Sequence, residues 1–180
     1  MRILITNDDG IQSPGLEALV KVLHKEHQVI VAAPASQQSA KAHAITVRER
    51  LYVEEYAPLQ EAYGIKALSI SGTPADTVKL YVEGIIQRNP ALKPDLVISG
   101  INDGSNVGTD ILYSGTIGAA TEGYVQGVNG LAVSLDYNAE YDFEVVAKEI
   151  AARLKLLFPV GCGKTLLNIN FPKRLAQQPK

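Results

Sequence analysis

Ile3 to Ile5 is a short apolar run that halts on Asn7-Asp8-Asp9-Gly10. A run of that length ending in turn residues predicts a buried strand. Leu16, Leu19, Val20 and Leu23 then recur at i, i+3, i+4 and i+7, the stripe of an amphipathic helix. Ser13 is placed to cap that helix and Pro14 to open it. Gln28 to Ala33 (QVIVAA) is a second buried strand, ended by Pro34. Together these pieces predict a right-handed βαβ unit, the building block of a parallel sheet.

The same alternation continues. Lys66 to Ser71 reads as a strand, and Thr73, Pro74 and Asp76 supply an N-cap, a first helical residue and an acid in the first turn. The helix they start puts Val78, Tyr81, Val82, Ile85 and Ile86 on its apolar side. Further strands are expected at Asp95 to Ser99, Leu131 to Leu135 and Thr165 to Asn170. Further helices are expected at Ser114 to Gly123, rich in small residues, and at Phe143 to Phe158. The polar stretch Ser36 to His43 reads as a loop, Ala44 to Val53 as a strand or hairpin arm, and Glu54 to Tyr63 as an exposed loop. Gly100 to Gly108 reads as a loop rich in glycine and amides. Strands alternating with helices predict one α/β domain over residues 1–180, with a doubly wound, mainly parallel sheet and flanking helices.

Composition narrows the function classes. The 180 residues carry 17 basic and 19 acidic side chains, a net charge of -2 that offers no footprint for nucleic acid or an anionic membrane. No apolar run reaches the ~20 residues of a membrane helix, and the amino terminus has no signal-peptide pattern. One cysteine, Cys162, excludes an internal disulfide and a cysteine-built zinc site, and the expected setting is cytoplasmic.

Candidate chemistry gathers at strand ends. In an open α/β sheet, ligands bind at the carboxyl ends of strands. Asp8 and Asp9 sit there side by side, where they repel each other and lose hydration. Such a pair can cap a helix or bond its own backbone, but capping needs only one acid. A hard divalent cation is the other reading. Asn102, in the loop after the Asp95–Ser99 strand, and Ser39, after the second strand, are expected on the same edge. Two carboxylates, an amide and a hydroxyl favour Mg²⁺, Mn²⁺ or Ca²⁺ over zinc. Tyr113-Ser114-Gly115-Thr116 opens the small-residue helix, where free N–H groups and hydroxyls suit phosphate, although a capped helix without ligand has the same look.

Other signals carry less. Gly161-Cys-Gly-Lys164-Thr165 resembles the end of a P-loop, but it precedes a strand and lacks the earlier glycine, so Lys164 is expected in solvent. No G-x-G-x-x-G follows a strand. His24 and His27 are expected to face solvent, and Cys162 to be a packed thiol without a base. His43 lies in the loop after Ser39, within possible reach of the site as an acid. A haloacid-dehalogenase nucleophile requires D-x-D, which D-D-G does not match. A receiver domain requires an aspartate ending its third strand, where this chain has Gly72-Thr73.

Six segments in register resemble the survival protein SurE family: Ile5-Thr-Asn-Asp-Asp-Gly-Ile11, Ala33-Pro-Ala-Ser-Gln-Gln-Ser39, Ser71-Gly-Thr-Pro-Ala-Asp-Thr77, Ser99-Gly-Ile-Asn-Asp-Gly-Ser-Asn106, Tyr113-Ser-Gly-Thr-Ile-Gly-Ala-Ala120 and Leu167-Asn-Ile-Asn170. That resemblance implies a Rossmann-like core and a metal-dependent phosphatase acting on nucleoside 5′- and 3′-monophosphates. It implies metal ligation by Asp8, Asp9, Ser39 and Asn102, with Asp8 and Asp9 catalytic. Phosphate would be met by Asn7, by Gly104, Ser105 and Asn106, and by Ser114, Gly115 and Thr116. Family members run on for several tens of residues past the last strand, in a segment used for dimer and tetramer formation. This chain stops at Phe171-Pro-Lys-Arg-Leu-Ala-Gln-Gln-Pro-Lys180.

Overall fold

The computed structural model describes residues 1–87, 89–161 and 163–174. Its seven strands are β1 (Arg2–Thr6), β2 (Gln28–Pro34), β3 (Val53–Glu55), β4 (Lys66–Ile70), β5 (Leu96–Asp103), β6 (Asn129–Leu135) and β7 (Leu166–Phe171). They form one sheet in the order β3-β4-β2-β1-β5-β6-β7, with β3 antiparallel to β4 and all other pairs parallel. The chain winds outward from β1 through β2 to β4. It then returns to the other side of β1 and winds through β5, β6 and β7. The order reverses between β1 and β5, which is the switch point where such sheets bind ligands.

The helices are α1 (Pro14–Leu23), α2 (Ala57–Tyr63), α3 (Pro74–Lys79), α4 (Gly115–Val125) and α5 (Phe143–Leu157). Strand side chains alternate between faces, so β1 serves two cores. Ile3 and Ile5 join Leu16, Leu19, Val146 and Ile150 of α1 and α5 on one face. Leu4 joins Val78 of α3 and Ala119 of α4 on the other. All these side chains are buried, and removing so much apolar surface from water is the main force holding both helix layers to the sheet.

The caps form as the residue types predict. Ser13 accepts from Leu16 N, and Thr73 and Asp76 make a reciprocal capping box at the start of α3. Two segments differ from expectation. Only Val53 of the Ala44–Val53 stretch enters a strand, and the supposed loop Glu54 to Tyr63 is the end of β3 followed by α2. All three β3 residues are exposed, so no alternation marked them. Helix α2 buries a single side chain, Leu59, which leaves almost no stripe to read. Its signals were Pro58 near the start and Gly64 at the end, in a left-handed conformation with φ 65°. Leu59→Ala is expected to cost about 2–3 kcal/mol, read by urea unfolding. A surface loop would lose almost nothing.

Smaller differences follow the same logic. Helix α3 loosens into π-helical turns over Leu80–Ile85, with Tyr81 still buried. Strand β5 runs past Ser99 to Asp103 through a register shift. His24 and His27 are both half-buried. His24 Nδ1 lies 2.8 Å from Val20 O, and its ring meets Tyr63 edge-on, because α2 folds over that end of α1. Lys164 is exposed, as expected. Cys162 and residues 175–180 of the tail lie outside the described residues.

Candidate active site

Three strand-end segments and the amino end of one helix meet at the switch point. The first is the turn after β1. Asn7 is fully buried and donates through Nδ2 to Gly10 O at 2.9 Å and to Ser13 Oγ at 2.6 Å, tying the turn to the cap of α1. Gly10, at φ 97°, supplies a backbone conformation that other residues avoid. The turn therefore projects Asp8 and Asp9 beyond the strand while Asn7 stays beneath it. Asn7 is not on the wall of the cleft that the two carboxylates line.

The amino end of α4 closes on Asp8. Thr116 is fully buried and donates its hydroxyl to Asp8 Oδ1. Gly115 lies directly against Asp8 Cβ. Burial pushes the Asp8 carboxyl above its ordinary range, while the Thr116 hydroxyl and the backbone N–H groups of Asp8 and Thr116 hold it back. Thr116 thus serves the carboxylate. Ser114, the N-cap, accepts from Ile117 N at 3.2 Å and reaches the cleft wall.

Strand β5 brings the second strand-end segment. Asn102 donates through Nδ2 to Gly104 O at 2.7 Å, which leaves Oδ1 without a hydrogen-bond partner among the described residues. Asp103 N donates to Asp9 Oδ2 at 3.4 Å. The Asp9 carboxyl is pushed up to about 6, first by burial, then by the charge of Asp8, with Asp103 adding to the repulsion. The third, after β2, carries Ser39, whose hydroxyl oxygen accepts from Gln37 Nε2 at 3.0 Å.

Together these residues line a cleft of about 280 Å³. Asp8, Asp9, Ser39, Asn102, Gly104, Ser105, Asn106 and Ser114 are all on its wall. Gly115 and Thr116 stand one layer behind, on Asp8. The described lining includes four carboxylates, from Asp8, Asp9, Asp103 and Asp110, and no lysine, arginine or histidine. Among the described residues no three His, Cys, Asp or Glu side chains converge as a ready metal cage. An ion here would rely on two carboxylates completed by neutral oxygens. A larger cleft of about 710 Å³ lies at the opposite strand ends, where Glu26 and Asp95 share the wall with Lys155 and the apolar Phe158, Pro159 and Val160.

Asn106 was expected at the site, but the residues that hold it there were not. Asn106 is buried and clamped: its N–H donates to Asn170 Oδ1 at 2.7 Å, its Nδ2 donates to Ser134 Oγ at 2.9 Å, and its carbonyl accepts from Asn168 Nδ2 at 2.9 Å. The two asparagines sit at i and i+2 on β7 and so share one face, a signal that was present in the motif. Tyr137, packed on Gly104, and Asp110 also line the cleft, and no pattern marked them. His43 is absent from the wall, and its Nε2 lies 2.7 Å from Glu122 Oε2.

A family model for the survival protein SurE matches residues 3–180. The chain belongs to the SurE family. The 5′-nucleotidase SurE of Solidesulfovibrio magneticus is 50% identical over 180 residues, covering 97% of this chain and 66% of that protein. The 5′-nucleotidase SurE of Christiangramia forsetii is 44% identical over 176 residues, covering 95% and 65%. The crystal structure of the SurE protein from Aquifex aeolicus superposes with a TM-score of 0.82 at 36% identity, covering 97% of this chain and 67% of that one. This chain spans about two thirds of the length of these SurE relatives.

The raised Asp9 carboxyl sets a pH dependence for the metal-free protein. Below the ordinary value of 3.8, folded and unfolded chains both hold the proton. Between 3.8 and about 6 only the folded chain holds it, so stability falls as pH rises through that window. Melting temperature without divalent ions is expected to drop from about pH 4 to about pH 7 relative to Asp9→Asn, and Mn²⁺ should reverse the drop. Parallel curves for the two proteins would refute it.

Proposed function

We propose that this chain is the catalytic core of a metal-dependent phosphomonoesterase that hydrolyses nucleoside 5′- and 3′-monophosphates to nucleoside and phosphate. The observation that carries this reading is the convergence of Asp8, Asp9, Ser39 and Asn102 at the switch point, in a cleft lined by acids. A phosphate dianion is repelled from such a cleft unless a cation intervenes. The donor set is all oxygen, which fits one Mg²⁺ or Mn²⁺, with Ca²⁺ able to occupy the same place. The raised carboxyls of Asp8 and Asp9 mark charge that their protein neighbours leave uncompensated. The naming of the relatives as 5′-nucleotidases supports the substrate class.

When bound, a divalent ion supplies charge for the phosphoryl oxygens and makes a nearby water easier to deprotonate. The chain's own residues do the rest. Asp9, half-buried and held by Asp103 N, orients the attacking water and accepts its proton. Asp8 is fixed by Thr116 so that its position survives substrate entry. Ser114 and the loop Gly104 to Asn106 face the remaining phosphoryl oxygens, the loop being stiffened by Asn168 and Asn170. Water adds to phosphorus as the ester oxygen leaves in line and takes up a proton, giving nucleoside and inorganic phosphate.

The reading extends to assembly and setting. Among the described residues no helix is long and apolar enough to cross a membrane. With one cysteine in the chain, we place the enzyme in the cytoplasm. Homodimer or homotetramer formation, which the family resemblance implies, belongs to the same proposal. Phosphate release from a panel of nucleoside monophosphates, with chelator and then with Mg²⁺, Mn²⁺ or Ca²⁺, tests the activity. Turnover that needs the ion supports the proposal, and full activity in chelator overturns it.

A further inference from the structure

We propose that His43 and Glu122 form a latch that holds Ser39 at the cleft. The idea rests on the metal reading above for its functional consequence. Residues 35–46 form a strap that leaves β2 and crosses the amino ends of α3 and α4. Its path is not one the backbone takes freely. Ala40 and Ala42 have φ of 58° and 51°, a left-handed conformation that side chains with a Cβ avoid. External contacts must therefore hold the segment between Ser39 and His43 in place.

The contacts are specific. Gln38 N donates to Asp8 O at 2.7 Å, and Ala42 N donates to Tyr113 O at 2.9 Å. The Ala42 carbonyl rests on Gly118 of α4 so closely that a Cβ there would fall 2.1 Å from the oxygen. One side chain of the strap then reaches into α4: His43 Nε2 meets Glu122 Oε2 at 2.7 Å. Glu122 is buried at 4% exposure, an expensive place for a carboxylate without partners. Its other oxygen accepts from Gln126 Nε2 at 2.7 Å, so His43 is the near partner of Oε2, with Lys79 Nζ 3.9 Å from Oε1. Beyond His43, Ala44 O accepts from Thr73 Oγ1 at 2.6 Å, and Thr46 donates to Asp76 from both N and Oγ1. The latch thus sits in the middle of the strap, four residues from Ser39.

The alternative is that the pair only steadies α4. Two readouts separate the cases. Hydrogen exchange of the metal-free protein reports the strap directly, with no activity involved. Calorimetric titration with Mn²⁺ reports the ligand set. His43→Ala is expected to speed exchange of the Gln38 to Ala44 amides about ten-fold while the α4 amides stay protected. Mn²⁺ affinity should fall about ten-fold, and kcat at saturating Mn²⁺ should fall much less. His43→Gln, which keeps an N–H donor, should restore both. Adding Glu122→Ala to His43→Ala should weaken Mn²⁺ binding no further, because both changes open the same contact. Wild-type exchange and wild-type affinity in His43→Ala overturn the latch, as does faster exchange confined to α4. A wild-type protein that binds no Mn²⁺ overturns the metal reading, and the exchange result alone then decides whether the latch exists.

Discussion

Asp9→Asn is expected to lower kcat/KM by on the order of 10²–10⁴-fold while the metal-free protein melts no lower than wild type. The two effects have opposite signs for one reason. Asp9 is half-buried beside Asp8 and Asp103, and its carboxyl is pushed up to about 6. At neutral pH its charge is a liability to the fold and an asset only when a cation and substrate are present. A neutral amide of the same shape removes the repulsion, and with it the proposed charged ligand and the proposed acceptor for the water's proton. Asn102→Ala should cost less, since water can replace a neutral oxygen whose amide nitrogen is already engaged with Gly104. Steady-state kinetics with Mn²⁺, alongside thermal melts in chelator, read both signs. Wild-type turnover in Asp9→Asn removes this residue from the chemistry.

The strand–helix alternation was legible because each element carries a local cue. Buried strands such as QVIVAA are continuous apolar runs, and α1 and α3 announce themselves by Ser13-Pro14 and Thr73-Pro74. Where burial is slight the cue vanishes, as in β3 and α2. The positions of Asp8, Asn102, Ser39 and Ser114 at one edge followed from topology alone, since in a parallel sheet every loop leaving a strand's carboxyl end lies on the same side. What each side chain does there was less visible. Thr116 looked like an anion donor at a helix start, and only the packing of α4 against the β1 turn directs its hydroxyl to Asp8. Asn7 looked like part of the site, yet its amide belongs to the turn beneath. The Asn168 and Asn170 clamp on Asn106 spans more than 60 positions of sequence, beyond any local pattern.

Gly115→Ala should act on function through the position of Asp8. Gly115 is the first residue of α4, where alanine is the better helix former by about 1 kcal/mol in a helix interior. Propensity alone therefore predicts no loss of stability. The obstacle is local: a Cβ at this position would stand 2.8 Å from Asp8 Cβ and 3.1 Å from its Oδ2, with Pro74 Cγ at 3.1 Å on the other side. Something must shift, and Pro74 is buried in the first turn of α3, directly after the capping residue Thr73. Asp8 is buried and bonded to Thr116, so the clash at its Cβ must shift the turn that carries it. Moving it strains the hydrogen bond from Thr116 and displaces a proposed ligand by a fraction of an ångström or more. A misplacement of about 1 Å can cost about 10²-fold in rate. The expected result is a fall in kcat/KM of that order, weaker Mn²⁺ binding and a lower melting temperature, since overpacking beside a buried residue costs about 1–3 kcal/mol. Gly163→Ala, whose Cβ would meet open space, is the control and should change none of the three. Retained activity in Gly115→Ala means that Asp8 accommodates the methyl group without losing its place, and that its position is not what limits catalysis.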